Sequence, residues 1–173
     1  MTNYRLSMKK TVFLVRHAQA AEPEFDQKDI DRPLTSPGMR DAGVMGRYLF
    51  QNYENPNLIL SSTAQRAQTT AELIAEQLKY DASGIRLEED LYEASVRTLL
   101  RFINEAQEQH ASILIVAHNP SITYLAEYLS KSDVPNMYPG SVCILEFENL
   151  HWAEVSEGTG YFKLYESPPN LLD

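Results

Sequence analysis

A single cysteine, Cys143, rules out an intrachain disulfide and suits a reducing cytosolic setting. Glycine is scarce, seven residues in all, and no Gly-rich phosphate loop of the Walker type is present. No apolar run approaches the roughly 20 residues of a membrane span. Arg5, Lys9 and Lys10 precede an apolar run of only Val12 to Val15, too short for the core of a signal peptide. Positive charge is in deficit: the net charge of -9 argues against a nucleic-acid partner, which would call for a basic face. The four histidines (His17, His110, His118 and His151) lack close paired spacing, so no metal site is expected.

What is present is an alternation of strands and helices. An apolar share of 43% in 173 residues is enough for the core of one domain spanning 1–173. The pattern predicts strands at 11–16, 57–61, 85–88 and 112–117. Helices are expected at 37–53, 64–79, 96–109 and 120–130, the first capped by Thr35 or Ser36 with Pro37 in the first turn. Residues 141–147 and 151–156 read as a hairpin, and 160–165 as a further strand. The expected fold class is α/β: a three-layer α/β/α sandwich with a mainly parallel central sheet and an antiparallel C-terminal edge.

Three of these strands end in phosphate-seeking side chains. Val12 to Val15 runs into Arg16-His17. Leu58-Ile59-Leu60 runs into Ser61-Ser62-Thr63, with Arg66 one turn on. Ile113 to Val116 runs into Ala117-His118-Asn119-Pro120. Ligands of open α/β sheets bind beyond the carboxyl ends of the strands, so these groups are placed to meet there. Arg16 and Arg66 offer planar forks that match phosphoryl oxygens and keep their charge. His17 is the candidate nucleophile: a neutral imidazole, with an ordinary pKa of about 6.5, attacks phosphorus unaided once a hydrogen bond fixes its tautomer. A nearby backbone carbonyl is the expected partner. His118 is either a satisfied structural histidine or a donor to the phosphoryl oxygens. Glu93, in the loop after the short strand, is either the general acid or a solvated carboxylate. Glu22, Glu24, Asp26, Asp29 and Asp31 form either a solvated loop or an acidic rim that disfavours small polyanions.

Taken together, Arg16-His17-Ala18, Pro33-Leu34-Thr35 with Gly38, Ser61-Ser62 leading to Arg66-Ala67-Gln68-Thr69, Leu91-Tyr92-Glu93-Ala94 and Val116-Ala117-His118-Asn119-Pro120 resemble the histidine phosphatase (phosphoglycerate mutase-like) superfamily. The short length and the ending Ser167-Pro168-Pro169-Asn170-Leu171 are most similar to SixA-type phosphohistidine phosphatases. The resemblance implies that His17 takes the phosphoryl group, that Arg16, Arg66 and His118 form its pocket, and that Glu93 occupies the usual acid position. It implies a phosphorylated substrate, with a histidine phosphotransfer protein as partner, no required cofactor, and an open site without a helical lid. A small-metabolite phosphomonoesterase on the same site is the nearest alternative. A catalytically weak phosphate- or phosphoprotein-binding module is the alternative of another class. One departure stands out: Ala18 occupies a position that is usually glycine, and its methyl is expected to narrow the approach to the nucleophile.

Overall fold

Each apolar strand alternates between two cores, and that alternation makes the layers. The computed structural model describes residues 8–172; Arg5 lies outside them. On β1 (Lys9–Arg16), Val12 and Leu14 enter one core while Phe13 and Val15 enter the other. The helices α1 (Ser36–Asn52) and α2 (Gln65–Leu78) cover the Phe13 side through Met45, Leu49, Ala71 and Ile74. The opposite face is covered by α3 (Val96–Asn104) and α4 (Ser121–Ser130) through Leu99, Ile103, Leu125 and Leu129. Burying side chains of this size is worth about 1.5–3 kcal/mol each, and both faces of the sheet are occupied.

The sheet has six strands in the order β3-β2-β4-β1-β5-β6, where β2 is Leu58–Ser62, β3 Arg86–Glu88, β4 Ser112–Ala117, β5 Val142–Glu148 and β6 Tyr161–Glu166. The pairs β1–β4, β4–β2 and β2–β3 are parallel, and β5 runs antiparallel to both β1 and β6. The expected sandwich with an antiparallel edge is therefore present. Register matters most for function. Arg16 lies opposite Ala117 and Ser61 opposite Val116, so three parallel strands end at one level of one sheet edge.

The hairpin expected from 141–147 and 151–156 is not formed: β5 pairs with β6 instead, and Trp152–Glu154 is a single 3-10 turn. Local polar groups compete with strand pairing there. The Glu154 carboxylate accepts from the His151 amide at 2.6 Å, and Glu108 accepts from the Trp152 amide at 2.7 Å. Trp152 is fully buried and its indole N–H donates to the His110 carbonyl. The third helix ends at Asn104, short of the expected 109. The Asn104 side-chain amide donates to the carbonyls of Trp152 and Val155, and Glu108 leaves the helical path to meet Lys10 at 2.9 Å.

Candidate active site

At the carboxyl edge of the sheet, His17 follows β1 directly and its amide still donates to the Ala117 carbonyl of β4 at 3.1 Å. The chain then turns, which lets Arg16 and His17 serve one cleft. Gly140 holds that turn: its amide donates to the carbonyls of both Arg16 and His17, at 3.0 and 3.1 Å. Its φ of +80° lies in the left-handed region, where glycine carries no steric penalty.

A cleft of about 320 Å³ is lined by Arg16, His17, Asp29, Arg32, Arg66, Tyr92, Glu93, His118 and Asn119. All five side chains singled out from the sequence, Arg16, His17, Arg66, Glu93 and His118, thus share one cavity. A larger concavity of about 880 Å³ runs along α3 from Glu89 to Glu105 and shares Tyr92 and Glu93 with the cleft. Among the described residues, no group of three or more His, Cys, Asp or Glu side chains is arranged to hold a metal ion.

The His17 ring is held from one side. Its Nδ1 lies 2.7 Å from the Ala18 carbonyl, which can only accept, so Nδ1 carries the hydrogen. In the neutral ring Nε2 then keeps its lone pair. Burial pushes the ring's pKa down to about 4, the guanidiniums of Arg66, Arg16 and Arg32 add to the effect, and the Ala18 bond opposes it. At neutral pH this is an unprotonated imidazole beside the arginines of the cleft.

His118 sits 5.1 Å from His17 between ring centroids. Its Nε2 meets the Ser62 hydroxyl at 2.8 Å, and Ser62 already accepts from the Ala64 amide at 3.1 Å. With the serine hydrogen given to His118 Nε2, the ring proton is on Nδ1. That Nδ1 is buried without a partner, and so is Nε of Arg16. Arg16 is anchored elsewhere, by Nη1 donating to the Met137 carbonyl at 2.7 Å. Buried donors without acceptors are costly, and two in one cleft point to an anionic ligand. Burial pushes the His118 pKa down to about 3, with His17 and Arg66 contributing.

Arg66 leaves the first turn of α2 nearly buried, and its fork is already engaged. Nη1 donates to the Asp29 carbonyl at 2.8 Å and Nη2 to the Asp29 carboxylate at 3.0 Å. The same carboxylate accepts from the Tyr92 hydroxyl at 2.7 Å and from Arg32 Nη1 at 3.0 Å. The Tyr92, Arg32 and Arg66 bonds hold the Asp29 carboxyl well below the usual range, so it is ionised. Tyr92 answers with a raised phenol pKa, its bond to Asp29 being the main cause.

Sequence reasoning missed this network. Tyr92 lay inside a quoted motif without a role, Arg32 directly preceded one and was not singled out, and Asp29 was one acid among five. The five now divide: all are exposed, but of them only Asp29 lines the cleft. Glu93 borders the cleft from an exposed position with φ +54°. The expectation for Ala18 is corrected. The residue is fully buried against Leu34 and Ala42, its amide donates to Thr70 Oγ1 at 3.0 Å, and its methyl does not line the cleft.

Comparison with known proteins gives a consistent picture. The profile of the histidine phosphatase superfamily (branch 1) matches residues 12–99. An uncharacterised protein of Mycobacterium tuberculosis is 32% identical over 154 residues, covering 83% of this chain and 93% of the relative. Phosphohistidine phosphatase SixA of Escherichia coli is 28% identical over 164 residues, 92% of this chain and 95% of the relative. The solved structure of the protein histidine phosphatase SixA complexed with tungstate superposes with a TM-score of 0.79 at 26% identity, covering 93% of this chain and 99% of that one.

Proposed function

The chain belongs to the histidine phosphatase superfamily, and from that membership we propose that it hydrolyses phosphohistidine on a protein, without a metal ion. Nε2 of His17 attacks phosphorus in line as the bond to the leaving group breaks. Arg16, Arg66 and His118 hold the charge that spreads over the equatorial oxygens. Water then attacks the phosphohistidine on His17 and releases inorganic phosphate. Glu93 is the group that protonates a poor leaving group where one is present.

The observation that carries this reading is the pairing of His17 Nδ1 with the Ala18 carbonyl beside two unpartnered buried donors, Arg16 Nε and His118 Nδ1. The lone pair on His17 Nε2 supplies the nucleophile, and the two donors suit an anion. Similarity to the phosphohistidine phosphatase SixA over nearly the full length of both chains supports a phosphohistidine substrate, and we propose a histidine phosphotransfer protein as its carrier and the cytosol as its setting.

Quenching the protein during turnover and assaying for acid-labile, alkali-stable phosphate tests the mechanism. The label is expected on wild type and absent from His17→Ala. Turnover persisting in His17→Ala would overturn the covalent route. Catalytic efficiencies on a phosphohistidine protein and on a panel of phosphate esters then separate the protein substrate from a metabolite. Chelators are expected to leave activity intact.

A further inference from the structure

Of the charged groups in the cleft, the Asp29 carboxylate has no part in the scheme above, although Tyr92, Arg32 and Arg66 all hold it there. An ionised carboxylate beside a phosphoryl site raises a question, because it repels the anion that the arginines attract. Beyond steadying Arg66, it can serve a group that the leaving group brings.

An ionised carboxylate cannot protonate an alkoxide. It can accept a hydrogen bond from a cationic leaving group. The carboxylate has about four lone-pair positions, and the Tyr92, Arg32 and Arg66 bonds occupy three. About half of the side chain is exposed at the cleft, so one position on Oδ1 remains within reach of a substrate.

Resting on the proposed phosphohistidine activity, we infer that Asp29 is a specificity-determining residue that accepts the distal ring N–H of a protonated phosphoimidazole substrate. The step balances without any proton moving. The substrate ring arrives protonated on its unphosphorylated nitrogen and donates that N–H to Asp29. His17 Nε2 forms its bond to phosphorus while the substrate's N–P bond breaks. The bonding pair returns to the substrate ring, which departs as neutral imidazole. Tyr92 and Arg32 are positioning residues for the carboxylate, Arg66 holds it as well as the phosphoryl oxygens, and all three donors keep it ionised as the cation approaches. A phosphate ester gains nothing from this contact, so the residue selects for nitrogen over oxygen leaving groups.

The test is the ratio of kcat/KM for N-phosphoimidazole to that for p-nitrophenyl phosphate, measured on wild type and on Asp29→Asn. Hydrogen bonds to charged groups are strong enough that the ratio is expected to fall about ten-fold or more. Both efficiencies falling by the same factor would mean that Asp29 only steadies Arg66, and would overturn the inference. Asp29→Ser is read in the same way should the asparagine variant not fold. Wild type inactive on a phosphohistidine protein and on phosphoimidazole, yet active on esters, would instead overturn the proposed function itself.

Discussion

His17 donates through Nδ1 to the carbonyl oxygen of Ala18, the next residue in the chain, so its tautomer is set locally by the turn that ends β1. No distant carboxylate is needed to orient the ring, and the surrounding charges are free to depress its pKa. A ring-proton NMR titration is expected to show His17 with a midpoint of about 4 and His118 of about 3. Added phosphate supplies the missing acceptor for His118 Nδ1 and is expected to raise its midpoint. A midpoint near 6.5 for either ring in the free protein would contradict the burial argument.

The same shifts have a consequence for stability. Both rings have lower pKa values folded than unfolded, so below about pH 6.5 the unfolded chain takes up protons first. Their contribution is therefore neutral at pH 7, erodes stability as pH falls toward 4 and then 3, and is constant below that. Urea melts at pH 7 and pH 4.5 measure it. In the double variant His17→Gln/His118→Gln, this part of the acid sensitivity is expected to disappear.

Arg66→Lys keeps the charge and loses the fork. In wild type two nitrogens of Arg66 grip Asp29, and its remaining N–H groups are left for the phosphoryl oxygens. One ammonium cannot serve both, so the variant is expected to lose about 2–4 kcal/mol of transition-state stabilisation, by comparison with removal of an oxyanion donor. Steady-state kinetics on any accepted substrate measures this, and a loss under about three-fold would mean that charge alone suffices.

The layers were legible because strand periodicity and helix caps are local: Thr35 accepts from the Gly38 amide at 3.0 Å, as its place before Ser36-Pro37 suggests. The arginines and histidines were legible because each follows a buried apolar run directly, and parallel strands must end at one edge. Asp29 was not, since its role depends on Arg66 and Tyr92, 37 and 63 residues away, and nothing near position 29 distinguishes it from Asp26 or Asp31. The 151–156 segment misled for a related reason. Alternation of Trp152 and neighbouring polar residues looks like a strand, whereas Glu108 and Asn104 from the α3 region capture its backbone. Ala18 faces the Leu34 cluster because of how the turn folds, a matter of geometry that composition does not express.

Gly140→Ala is expected to cost about 1–3 kcal/mol. Position 140 has φ +80°, and a Cβ there would approach Pro168 Cγ to 3.2 Å. Because the Gly140 amide also binds the Arg16 and His17 carbonyls, relaxation of this strain is expected to move the turn that carries His17. Thermal denaturation should therefore show a lower Tm, and activity should fall even at temperatures where the variant is folded. Lost stability with unchanged kcat/KM would mean that the turn is held by β1 and β4 alone.

Glu93 sits in the left-handed region at φ +54°, a conformation that costs a side-chain-bearing residue roughly 1 kcal/mol. Glu93→Gly is therefore expected to raise stability by about 0.5–1 kcal/mol while lowering the hydrolysis of alkyl phosphates, whose alkoxides require a proton. Glu93→Gln keeps the backbone strain and removes only the acid, so it is expected to match wild type in urea denaturation and the glycine variant in alkyl phosphate kinetics. Phosphohistidine, whose ring leaves without a proton donor, is expected to be less affected than the esters by either change. If both variants lose ester and phosphohistidine activity equally, Glu93 serves to shape the cleft and not to donate.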